Sequence, residues 1–154
     1  MKKRLNIFCV LMLLLMAAEV VMTFVTGADA FMEGWEKGSH ADPTYTWAQV
    51  LCFFAELVAL VAALVSFMSF IRFILNVNHN HVFVWENVNL LRLTAYGLIA
   101  LSMIAAGDEL YSGSSFIEVY NHFFDAFLFG AFNLIISEVF AVGLKLQVEQ
   151  DLTI

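Results

Sequence analysis

Four long apolar runs separated by short polar stretches organise this chain. They cover residues 5–26, 46–72, 88–106 and 119–143. A helix needs ~20 mostly apolar residues to cross the hydrocarbon of a bilayer, and each run approaches or exceeds that length. The pattern therefore predicts an all-α integral membrane bundle of four transmembrane helices. Between the runs lie a polar, acidic stretch (residues 27–46), a turn-rich stretch (76–81) leading into a mixed segment (82–92), and a short acidic loop (107–114).

Local signals place the helix starts. Asp42-Pro43 joins a capping residue to the residue best tolerated in a first helical turn. Ser115-Phe-Ile-Glu118 is a capping box, whose two side chains can satisfy free N–H groups at the start of the last helix. In the second run Ala55, Ala59, Ala62, Ser66 and Ser69 recur every three or four residues. That spacing gives a narrow face on which another helix can approach closely. The first run has a second reading as a cleavable signal peptide, with Ala28-Asp29-Ala30 as the cleavage site. Its length favours a retained span, because signal cores are usually ~7–15 residues.

Composition agrees with the pattern. The chain is 62% hydrophobic and 14% charged, against roughly 25% charged in ordinary soluble domains. Nothing resembles a linker, which predicts a single membrane domain. The formal charge of −7, with only seven Lys and Arg, argues against a direct nucleic-acid partner, since phosphate backbones need a basic stripe. The positive charges also set orientation. Lys2, Lys3, Arg4, Arg72, Arg92 and Lys145 fall on one side of the four-span arrangement and Lys37 alone on the other. The positive-inside rule makes the first side the cytoplasm and puts both termini there. Tyr45, Trp47, Tyr111 and Tyr120 then sit at outer ends of spans and Trp85 near an inner end, where amphipathic aromatics belong.

Candidate chemistry is sparse. Four acids lie inside spans: Glu19, Glu56, Asp125 and Glu138. A charge at mid-bilayer costs ~2.5–3.5 kcal/mol on insertion scales, which makes each a candidate by default. Glu19, Glu56 and Asp125 fall in the outer half, with no basic residue at their level. If they converge, shared protons or a bound cation must neutralise them. Glu138 lies toward the other end, within reach of Arg72, Arg92 or Lys145, and is expected in an ion pair. His122 stands three residues before Asp125. His79-Asn-His81 has H-x-H form but no further ligand at metal-binding spacing, so a solvated loop is expected. Cys9 and Cys52 sit in apolar runs and are read as small hydrophobes. There is no nucleophile elbow, zincin helix or phosphate loop. The sequence nominates neither an enzyme nor a cofactor.

Two stretches resemble a known family. Phe83-Val-Trp-Glu-Asn87-Val-Asn-Leu-Leu-Arg92, and the tail running from Glu138-Val-Phe through Gly143 and Glu149 to Asp151-Leu-Thr-Ile154, are similar to the domain of unknown function 2975 family. Its members are small bacterial membrane proteins of four helices. Val82 stands where that family often has Gly or Pro. The resemblance spans essentially the whole chain and implies a bacterial inner-membrane protein. It brings no activity. It does imply a neighbour, since relatives are often encoded beside a small helix-turn-helix regulator.

The expectation is therefore a non-enzymatic regulatory or binding protein. Its cytoplasmic docking surface would comprise Phe83, Trp85, Glu86, Asn87 and Arg92 with Glu149 and Asp151 of the tail. Its partners would be the bilayer and a small soluble regulator or a second copy of itself. The alternative is ion or proton handling through the outer-half carboxylates.

Overall fold

The computed structural model describes residues 2–40 and 46–151, with the side chains of residues 2–5, Glu19, Ala30, His122 and Asp151 outside the description. The elements are four helices: α1 (Lys2–Ser39), α2 (Trp47–Asn78), α3 (Trp85–Ser112) and α4 (Phe116–Asp151). All four are long and apolar enough to cross a membrane. This is an all-α, multi-pass membrane protein.

Every helix outruns its apolar run. The hydrocarbon sets a minimum span, not a helix length, and local bonding continues the helices beyond it. The polar stretch after residue 26, expected as a loop, is helical to Ser39. There Thr26 donates to the Met22 carbonyl and Lys37 pairs with Glu33 one turn away at 2.6 Å. The Asp42-Pro43 start and Tyr45 lie outside the described residues. α3 likewise continues through Asp108 to Ser112, where Gly113 adopts the left-handed conformation (φ 80°) and closes the helix. The Ser115–Glu118 capping box forms: the Ser115 amide donates to Glu118 at 2.9 Å and the Glu118 amide to Ser115 Oγ at 3.4 Å.

The chain divides into two compact units, Met1–Trp47 and Ala48–Ile154. The first is built on α1, a single helix. The second holds α2, α3 and α4, and it is packed as membrane helices are, through small residues and hydroxyls. Ser66 and Ser69 are buried, so the small-residue face of α2 meets its neighbours as its spacing predicts. A Cβ on Gly97 of α3 would lie 1.8 Å from Ser66 Oγ and 3.0 Å from the Ala62 carbonyl. A Cβ on Gly130 of α4 would lie 3.0 Å from the Ala95 carbonyl of α3. Glycine is what lets these backbones approach. Buried hydroxyls return their protons to their own helix: Ser66 to Ala62, Thr94 to Leu90, Ser102 to Ile99 and Ser137 to Leu134.

Candidate functional site

Of the residues that carry the family resemblance, those at 83–92 and 138–144 meet at one end of the second unit, where α2 ends, α3 begins and α4 passes. α2 closes on Asn80, whose φ of 66° is the left-handed value that asparagine tolerates. The His81 amide donates to the Asn76 carbonyl and the Asn80 amide to Val77, a pairing that satisfies the last carbonyls of a helix. The chain then has four residues in which to turn and start α3. Val84, at the helix start, offers no side-chain cap.

Asn87 makes that turn hold. Its Nδ2 donates to the His81 carbonyl at 2.6 Å and to the Val82 carbonyl at 2.7 Å, and its Oδ1 accepts from Asn76 Nδ2 at 3.0 Å. One carboxamide thus binds the loop, the end of α2 and the start of α3 together. It is 0% exposed, which corrects its assignment to a docking surface: a side chain with both ends bonded inward has nothing left to present.

The remaining parts close the clasp against α4. Phe83 stacks on Phe140 with ring centroids 5.5 Å apart, and Phe140 meets Phe73 of α2 edge-on at 6.1 Å. Phe83 also lies over Gly143, where even a methyl would touch its ring at 3.5 Å. Behind these rings Val88, Ala141 and Leu144 form a buried cluster. Arg92 donates to Glu138 Oε1 from Nη2 at 2.6 Å and from Nε at 3.0 Å. This is the ion pair expected for Glu138, and Arg92 is the partner among its three candidates. Arg92 is thereby engaged within the bundle.

Of the other expected residues, Trp85 and Glu86 are exposed at this end. Glu149 is exposed near the end of α4 and has an interaction of its own; the side chain of Asp151 lies outside the described residues. His79 Nδ1 is bonded with the Leu75 carbonyl at 2.9 Å, so the H-x-H stretch belongs to the end of α2. Cys9 and Cys52 are free thiols, buried and half-buried.

Glu19 has no described side chain, and Asp125 is exposed. Glu56 lines a largely apolar groove of about 240 Å³ between α2 and α3, and the acid that shares it is Asp108. Asp108 was expected in a loop, and only the extension of α3 by another turn and more brings it there. Sequence reasoning also missed the Asn76–Asn87 bond and the seating of Phe83 on Gly143. Each joins positions on different helices, and a turn-rich stretch gives no sign of which asparagine will turn inward.

No curated protein and no solved structure matched the chain. A family model, Protein of unknown function (DUF2975), matched residues 34–154. The match begins in the last turns of α1, so most of that helix lies outside it and the likeness is narrower than the whole chain. It contains every residue of the clasp, and on that match the chain belongs to the DUF2975 family.

Proposed function

We propose that this protein is a non-enzymatic membrane anchor of a bacterial inner membrane that docks a small soluble protein on the clasp side of its second unit. The observation that carries this reading is the overrun of α4. The helix passes the clasp at Gly143 and continues to Asp151, roughly 12 Å further at ~1.5 Å per residue. Its bundle-facing stripe, Asn133, Ser137, Ala141 and Leu144, is buried, and the same spacing leads on to Val148, which is 51% exposed. Leu146 is 55% exposed on the opposite side of the helix. Apolar side chains on opposite sides of a projecting helical end give a partner that wraps it a grip, and the clasp makes their base rigid.

The placement of Arg72, Arg92 and Lys145 toward this end supports a cytoplasmic orientation for it. A helix-turn-helix regulator is the first partner to test, because the family resemblance implies such a neighbour. The test is capture from membranes of the full chain carrying Val148→Asp or Leu146→Asp. Capture should fall at least tenfold while insertion and detergent stability stay at the parent's values. Undiminished capture by both variants refutes the docking surface.

A further inference from the structure

We infer that the Arg92–Glu138 pair, with the groove of α4 beside it, binds one phospholipid whose headgroup carries both a phosphate and a primary ammonium. Its depth fits such a ligand. A hydrocarbon layer of ~30 Å takes about twenty helical residues. α3 and α4 turn back on each other over residues 113–115, a polar turn in which the Ser114 amide donates to the Glu109 carbonyl. About twenty residues before the end of α3 at Ser112 stands Arg92, and about twenty after Glu118 in the first turn of α4 stands Glu138. With the turn at one face of the bilayer, the pair lies at the other, level with lipid headgroups. The clasp extends beyond it on the watery side, and Trp85 is there, ~10 Å past Arg92 along α3.

The pair is also only half used. Arg92 donates from Nε and Nη2, and both bonds end on Glu138 Oε1. Among the described residues nothing bonds to Glu138 Oε2 or to Arg92 Nη1, and the Arg92 and Glu138 side chains are 34% and 62% exposed. One acceptor and one donor group therefore point away from α3 and α4 at a depth where headgroups are the neighbours. Phosphoethanolamine complements both. Its phosphate takes the open edge of the guanidinium, and its ammonium, two carbons away, donates to Oε2. Choline has no N–H to donate and glycerol carries no cation, so neither answers both halves. Around Glu138, Leu134, Ile135, Val139 and Val142 line a shallow groove of about 490 Å³. Leu134 and Ile135 lie about one turn deeper than the carboxylate, on the path of the same lipid's acyl chain. The groove holds the chain, and the ion pair selects the headgroup.

Native mass spectrometry tests this on the full chain released from nanodiscs of equal parts phosphatidylcholine, phosphatidylglycerol and phosphatidylethanolamine. One phosphatidylethanolamine should be retained about tenfold over either competitor, the worth of roughly one charge-assisted hydrogen bond. Glu138→Gln should bring that lipid down to the level of phosphatidylcholine, because the ammonium loses its counter-charge. Ile135→Trp, at a position 64% exposed, fills the groove with the pair and the bundle intact, and should also lower retention. Equal retention of the three lipids, a preference for phosphatidylglycerol, or a preference untouched by either variant overturns the site. In the same nanodiscs p-benzoylphenylalanine in place of Val139 should crosslink to lipid. A link to α1 or to a second copy would mean that protein covers this face, and overturns the site equally.

Discussion

Replacing Asn87 by Ala is the sharpest test of the clasp. The substitution removes three hydrogen bonds at once, two donated to the His81 and Val82 carbonyls and one accepted from Asn76. At ~1 kcal/mol net each, their loss sums to ~3 kcal/mol. The His81 carbonyl lies on an exposed turn and regains water, which lowers the sum. Asn76 and Val82 are half-buried, and stranding their polar atoms raises it again. An expected loss of about 2–4 kcal/mol follows. Asn87→Asp separates the parts, because a carboxylate still accepts from Asn76 but turns an oxygen toward two carbonyl oxygens. It should be no more stable than Asn87→Ala despite its matched shape. Equilibrium unfolding of the detergent-solubilised chain with SDS, followed by tryptophan fluorescence, measures both. A cost below about 0.5 kcal/mol for Asn87→Ala, the size of an ordinary surface substitution, would refute the view that this side chain holds the loop.

Other expectations are simpler. In a double-mutant cycle on Arg92→Gln and Glu138→Gln, the coupling should be only about 0.5–1 kcal/mol, since both side chains are partly exposed; a value several times larger would mean that the pair is dry. Gly97→Ala should destabilise by ~1–3 kcal/mol through overpacking, and adding Ser66→Ala should recover only part, because the Ala62 carbonyl remains 3.0 Å from the new methyl. Reporter fusions after Met1 and after Ile154 should both read cytoplasmic, and one inserted at Gly113 should read external; an external C-terminus would reverse the clasp's orientation and remove a soluble cytoplasmic partner.

What the sequence determined here is what lipid alone enforces. Chain segments in hydrocarbon must satisfy their own backbone groups, so long apolar runs become helices whatever surrounds them. Four helices were legible for that reason. So were the Ser115–Glu118 cap, which needs only three residues' separation, and the small face of α2, which needs only helical period. Tertiary structure decided everything that depends on partners distant in the chain. It turned Asn87 from a surface residue into the centre of a clasp, because the end of α2 came within reach of its carboxamide. It chose Arg92 for Glu138 from three cations that composition could not rank. It set Asp108 opposite Glu56 by carrying α3 further as helix. Polar side chains near a membrane boundary face water or one another at similar cost, so their burial is settled by which helices meet, and a hydropathy pattern does not carry that information.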